Sequence, residues 1–351
     1  MKPSEIALMR LQNQQLTHPR FKNPEEVISW LGAVQGQDYP GAKWAVGLRL
    51  PGSTDADLEQ AITQKKILRT WLMRGTLQLV TAEDIHWMLE LLSPRIIKSN
   101  KRRYQELELD EETLNQSNQI LKDALNYDGE LNRKELLNIL QKEGISTEGQ
   151  RAAYMLQRAS LEGLICQCGV QRNIPIYMSM DSVPQTKTLK HDDALAELAR
   201  RYFTSRGPAT LGDFIWWSGL LAADARTGLE AIQSDLTEET IHGQIHWYSD
   251  TKPLVEDDDP TAHLLPTFDE YLFGYQDRSA VIDSLAKIKL SNRYRSTIAI
   301  NGQIVGTWRR TFKKDKVIIE QELFKTPHGK EMDILNQAKL SYGEFLNLEV
   351  Q

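Results

Sequence analysis

Apolar residues along this chain return at helical spacing, break at glycine or proline, and then alternate in short paired stretches. From Glu130 to Met180 the order reads helix, turn, helix, hairpin. Leu131, Leu136, Leu137 and Leu140 share a helical face closed by Gly144. A second helix runs from about Gly149 to Gly163, with Ala152, Tyr154, Met155, Ala159 and Leu161 interleaved with Arg151, Gln157 and Arg158. Alternating segments follow, Leu164 to Cys168 and Ile174 to Met180, around Gly169 and Asn173. The same layout repeats from Gly207 to Ser249: Thr210 caps a helix ending near Gly219, a helix follows from Ala222 to Ile232, and Thr240 to Tyr248 is strand-like. The N-terminal part fits too, with helices Pro24 to Val34, Ala42 to Leu50 and Ala56 to Gln64, then strands Ile67 to Leu72 and Thr76 to Val80 joined through Met73-Arg74-Gly75.

Helix, helix, hairpin is the order of a winged helix, whose second helix offers polar side chains to a DNA groove while the hairpin lies over the backbone. The pattern predicts an α+β fold, mainly α, with three such units in tandem. Past Asp250 the pattern changes. Thr297 to Ile300, Asn301-Gly302 and Ile304 to Arg310 predict a hairpin on a type I′ turn. Val317 to Phe324 adds a strand, and a helix from about Gly329 to Leu346 closes a small, β-barrel-like domain. The expected division is 1–125 (first unit with connecting helices, broken at Ser93-Pro94), 126–185, 186–250 and 251–351. Asp181 to Lys190 is a polar linker.

At 351 residues, with 40% hydrophobic and 26% charged residues, the composition is that of an ordinary globular protein of more than one domain. No apolar run approaches the roughly 20 residues that span a bilayer, so no membrane association is expected. Met1 to Thr17 lacks a secretory h-region, and a cytoplasmic, nucleoid-associated location is expected. The two cysteines, Cys166 and Cys168, are too close for an ordinary disulfide and too few for a zinc site. They read as buried hydrophobes. His242 and His246 have helical spacing on a strand-like stretch, where two ligands would not meet, so neither a metal nor another cofactor is expected. Walker, nucleophile-elbow and Rossmann glycine patterns are absent.

Net charge is −6, which taken alone argues against nucleic acid. The distribution points the other way. Cations gather at Lys65, Lys66, Arg69 and Arg74; at Arg95, Lys98 and Lys101 to Arg103; and at Arg309, Arg310, Lys313, Lys314 and Lys316. Acid gathers elsewhere, at Asp110 to Glu112 and Glu256 to Asp259. Runs of one sign beside predicted hairpins suit a phosphate backbone as well as a solvated face.

The stretch richest in chemistry is Gln35-Gly36-Gln37, placed after an apolar helical pattern (Val27, Trp30, Leu31, Val34) and before Asp38-Tyr39-Pro40-Gly41. Residues i and i+2 of a continuous helix point about 200° apart. The two amides can therefore converge on one small molecule only if the helix breaks at or near Gly36, which glycine permits and Pro40 reinforces.

Val34-Gln35-Gly36-Gln37-Asp38, Arg69 through Leu77 (RTWLMRGTL), Leu264 through Asp269 (LLPTFD), Gly274 through Arg278 (GYQDR) and Gly306 through Arg310 (GTWRR) occur in one order. Together they resemble the AlkZ/YcaQ winged-helix DNA glycosylases. The resemblance implies three winged-helix units and a β-barrel forming a concave channel for duplex DNA, and removal of bulky N7-alkylated purines, including unhooking of interstrand crosslinks. It places the family's catalytic Gln-aliphatic-Gln motif on Gln35 and Gln37. The chain departs from the pattern at Gly36, where the family has an aliphatic residue, and at Gln78, where many relatives carry histidine.

An N7-alkylated purine is already cationic, so it leaves as a neutral base without protonation and the sugar becomes oxocarbenium-like. What remains is to hold a water beneath C1′. A neutral amide carbonyl can accept from that water and favour the developing cation. Asp38 is either a competing base or an Asx cap before Pro40. Arg69, Arg74 and Gln78 on the first hairpin, Arg151 and Arg158 on one helix face, and Arg309 and Arg310 near the C-terminal hairpin are candidate DNA contacts. For Arg69 and Arg74 the other role is solvated charge beside a core Trp71; Arg151 and Arg158 face either solvent or a groove. Trp216-Trp217 reads as core, and Asp269, Asp277 and Arg278 as loop braces. With no lysine placed for Schiff-base chemistry, a monofunctional, monomeric DNA repair hydrolase acting on alkylation damage in double-stranded DNA is expected. The alternatives are a non-catalytic winged-helix regulator or a scaffold.

Overall fold

A computed structural model describes residues 1–249, 260–290 and 295–351. The acidic run Glu256 to Asp259 lies outside the described residues. Helices and mainly antiparallel sheets mix along the described residues, and the chain divides into two compact units, one of Met1–Leu58 with Leu195–Gln351 and one of Glu59–Ala194. The fourfold division expected from the sequence follows local modules, whereas compactness follows shared cores. It cuts the 1–125 segment and joins 195–250 with the C-terminal region. No described helix is long and apolar enough to cross a membrane.

In the Glu59–Ala194 unit, Asn132 caps the helix Arg133–Lys142 in a capping box with Glu135. Gly144 leaves that helix at φ 82°. The helix Arg151–Leu161 follows, then strands Ile165–Gln171 and Ile174–Ser179. Arg172 and Asn173, both at positive φ, make the turn. Gly169 lies within the strand, beside a bulge, not at the turn. The first hairpin pairs Ile67–Leu72 with Thr76–Thr81. Its neighbour is the second hairpin: the strand order is Thr76–Thr81, Ile67–Leu72, Ile165–Gln171, Ile174–Ser179, Leu131–Asn132. Two hairpins expected in separate units thus share one sheet, because a lone hairpin buries too little surface to stand in water. Leu121, Leu125, Leu136, Leu140, Met155 and Tyr177 belong to the core beneath. The expected break at Ser93-Pro94 does not occur. The helix Ile85–Ser99 runs through Pro94, which is exposed. Cys166 and Cys168 are buried free thiols; burial pushes the Cys168 thiol up to about 11.

In the other unit, Thr210 and Asp213 form a capping box on the helix Leu211–Ser218, which ends at Gly219 in the left-handed conformation. The helix Ala222–Glu230 and strands Leu236–Ile241 and Gln244–Ser249 follow. The strand expected over Thr240 to Tyr248 is therefore two, folded back at His242-Gly243, both at positive φ. His246 faces Glu239 across that hairpin, and no metal-holding cluster exists among the described residues. Trp217 packs with Tyr202 and Phe214 in the core.

The C-terminal strands Glu349–Val350, Lys316–Leu323, Gln303–Phe312, Ser296–Ile300 and Ala262–Leu265 lie in that order. Asn301 and Gly302, both at positive φ, make the expected turn. Each end strand has one strand neighbour among the described residues, so the sheet is open there where a barrel-like closure is expected. The helix Lys330–Leu346 packs its Tyr342 edge-on to Trp44 and Trp308. These indoles donate to the Leu264 carbonyl at 2.6 Å and the Leu265 carbonyl at 2.8 Å, tying the helix Tyr39–Gly47 and the sheet into one core.

Candidate active site

Asn23 caps the helix Pro24–Leu31, with proline at its first position and Val27, Ile28 and Leu31 buried. The helix stops at Gly32, at φ 77°, not near Gly36 as expected. Only Gly32 takes the positive φ that L side chains avoid; Gly36 does not. Ala33 follows and Val34–Gln35 is extended. Asp38 then caps the helix Tyr39–Gly47, its side chain accepting from the Gly41 amide at 3.3 Å. A Cβ at position 41 would lie within 2.8 Å of the Asp38 Cγ, so this cap requires glycine there.

Held between two helix ends, the glutamines converge. Gln35 Nε2 donates to Gln37 Oε1 at 2.7 Å. Gln35 is 7% exposed, while Gln37 is exposed. One amide is thus anchored in the protein and the other faces out. The crevice between Gln35, Asp38, Ala42, Pro266 and Phe268 has no room for a water molecule, so any ligand of the pair meets it from the open side of Gln37. A carbonyl oxygen has two lone pairs; Gln35 engages one of those on Gln37 Oε1.

Asp38 caps its helix and pairs with Arg310, whose Nη2 lies 3.0 Å and 3.1 Å from the two carboxylate oxygens. Asp38 also closes one end of a cleft of about 810 Å³ whose walls carry Arg295, Arg309, Glu320 and Glu322. Arg309 is exposed and sits 3.4 Å from Glu320, its cross-strand partner. At the hairpin tip Lys313 and Lys314 are exposed.

Behind Gln35 lies a buried network that the sequence did not announce. The Gln35 backbone amide donates to Glu270 Oε1 at 3.4 Å. Glu270 Oε2 accepts from Arg206 Nη2 at 2.6 Å and Trp217 Nε1 at 2.9 Å. Arg206 Nη1 donates to the Leu31 carbonyl at 2.7 Å. Glu270 directly follows the LLPTFD stretch, which is the one local signal that could have flagged it. Asp269 itself pairs with Arg49 at 2.8 Å, both buried, and so braces the core where a loop brace is expected.

The other candidate residues lie in the Glu59–Ala194 unit. Arg69 is buried and its Nη1 donates to Gln167 Oε1 at 2.6 Å across the two hairpins. Gln78 is buried and its Nε2 bonds Thr76 Oγ1 at 2.7 Å. Arg74 is half-buried at φ 58° in the turn, and Trp71 packs on the core. Arg151 bonds the carbonyls of Ser146 (3.0 Å), Glu108 (2.8 Å) and Leu107. Arg158 is buried between Glu162 and Glu111, 2.9 Å from the latter. Burial works against its charge, but the two carboxylates more than offset it and hold the guanidinium above its ordinary value. Arg158 is thus turned inward and Arg151 is half-buried against three carbonyls; both brace this unit, as Arg69 does. Their donors tie residues far apart in sequence, Leu107, Glu108 and Glu111, to the helix Arg151–Leu161.

The bonded amide pair thus sits between two capped helices, in a chain that carries helix–helix–hairpin segments. The chain belongs to the DNA glycosylase AlkZ-like family, whose model matches residues 28–344. It is similar to the interstrand DNA cross-link repair glycosylase of Streptomyces sahachiroi, 23% identical over 92% of this chain and 90% of that protein. The solved structure of Streptomyces sahachiroi DNA glycosylase AlkZ superposes with a TM-score of 0.78 at 18% identity, covering 100% of this chain and 99% of that one. That superposition speaks for the fold.

Proposed function

We propose that this protein is a monofunctional DNA glycosylase that hydrolyses the N-glycosidic bond of N7-alkylated purines in duplex DNA. Gln35 and Gln37 jointly place the attacking water. The observation that carries the proposal is the 2.7 Å bond between the two side-chain amides, with Gln35 buried and Gln37 exposed. Gln35 orients the Gln37 amide, and the second lone pair of Gln37 Oε1 accepts from water below C1′. Positioning is enough because the leaving base is already activated. The amide dipole favours the sugar cation as it forms. Asp38 is committed to Gly41 and Arg310, which leaves the base role to the amides. The name borne by the Streptomyces sahachiroi relative, an interstrand DNA cross-link repair glycosylase, favours bulky or crosslinked adducts as substrates. The three helix–helix–hairpin segments act as winged-helix units, and one copy of the chain binds the duplex.

Incubation of an N7-methylguanine duplex with excess enzyme, followed by alkali to cut abasic sites, tests the proposal. Gln37→Ala is expected to slow release by at least about 100-fold while duplex affinity stays within about twofold. Release at the wild-type rate by Gln37→Ala would remove the glutamine pair from the mechanism; duplex binding without release by the wild type would return the chain to the non-catalytic class.

A further inference from the structure

The two backbone groups that fix the course of the catalytic segment are the Leu31 carbonyl, where the helix ends, and the Gln35 amide, where the strand carries the first glutamine. Both are held by one buried ion pair from distant parts of the chain. Arg206 Nη1 takes the Leu31 carbonyl at 2.7 Å, and Glu270 Oε1 faces the Gln35 amide at 3.4 Å. Arg206 and Glu270 are joined to each other at 2.6 Å, with side chains 0% and 3% exposed. Trp217 completes the set. Its indole N–H donates to Glu270 Oε2 at 2.9 Å, its ring lies under the Arg206 guanidinium at 4.4 Å, and its edge abuts Gly32 at the bend.

A buried ion pair contributes little net stability against a well-packed apolar replacement, so its presence calls for a reason other than stability. Here the geometry supplies one. A carboxylate with one oxygen tied to a cation and an indole cannot swing, so the other oxygen is a fixed acceptor for the Gln35 amide. Because Gln35 Nε2 holds Gln37 in turn, a shift of the Gln35 backbone displaces both amides from C1′. We infer that Glu270, held by Arg206 and Trp217, is a positioning residue for the glycosylase reaction. It sets the Gln35 backbone and never touches the DNA. Its role rests on the glutamine pair being the catalytic centre.

The test is a mutant cycle on full-length protein, with the single-turnover rate of N7-methylguanine release, duplex Kd and thermal unfolding each measured. Glu270→Gln keeps the shape but leaves a donor facing either Arg206 or the Gln35 amide. It is expected to slow release about tenfold or more with Kd within about twofold. In the Gln35→Ala background the same substitution is expected to change the rate by less than about twofold, since the group it positions is gone. Wild-type release by Glu270→Gln, or a double variant whose losses multiply, would overturn the inference while leaving the glutamine pair standing. Wild-type release by Gln35→Ala would instead remove the glutamine itself, and Glu270 with it. Should Glu270→Gln fail to fold, Trp217→Phe removes one donor and keeps the ion pair. A slowed rate that vanishes against Gln35→Ala supports the role, and an unchanged or multiplying one rejects it.

Discussion

Arg158 and Arg309 make the same chemical pair, an arginine with glutamate, in two places that differ in burial. The Arg158 side chain is 9% exposed, between Glu162 on its own helix and Glu111, 47 residues away. The Arg309 side chain is 83% exposed opposite Glu320. In water the second pair is worth little and either partner can exchange for a phosphate. Inside, a guanidinium that lost its carboxylates would have nowhere to place its charge. Position in sequence does not distinguish the two, since both stand beside hairpins. Only the exposed arginine can answer to DNA without unfolding part of the protein.

One way to break the contrast is Arg158→Met, expected to lower the unfolding free energy by about 1 kcal/mol in urea titration, since the carboxylates left behind are 64% and 28% exposed, while duplex affinity of the folded fraction is kept. If that variant were as stable as wild type and bound duplex less tightly, Arg158 would be a DNA contact after all. His263, on the end strand of the same sheet that carries Arg309, grades the interior without a carboxylate pair. Burial, with Arg49 adding to it, pushes its imidazole down to about 4. The unfolded chain takes up a proton near pH 6.5 and the folded one does not, so stability is full above that value and falls as pH drops towards about 4. Between pH 7 and pH 5 the loss is about 2 kcal/mol, and His263→Gln is expected to flatten the pH dependence of the urea midpoint over that window. An unaltered slope would mean His263 does not carry it. The smallest effect on the fold is expected for Arg309→Ala, under about 0.5 kcal/mol, with the slope of log Kd against log salt shallower by about one. An unchanged slope would take Arg309 off the phosphate path.

Much of the local architecture is legible before any coordinates. Thr210, Asp38 and Asn23 cap helices as their types suggest, and Asn301-Gly302 makes the turn its pair favours. Caps and two-residue turns act within four residues of themselves. The convergence of Gln35 and Gln37 was also legible as a need for a break, but not its place. Two glycines stand four apart, and it is Gly32 that takes the positive φ and ends the helix. The partners of Arg69, Arg151 and Arg158 were not legible, because a cation on paper carries no mark of its depth.

Sequence by itself determined the run of helices and hairpins, the family-like motifs and the paired amides, all properties of short segments whose physics is backbone preference and hydrophobic period. The tertiary structure alone decided that Glu270, 235 residues beyond Gln35, stands behind the glutamine segment with Arg206, and which arginines are inside. Burial and long-range hydrogen bonding depend on where distant segments pack, and neither is written in the spacing of residues along a chain.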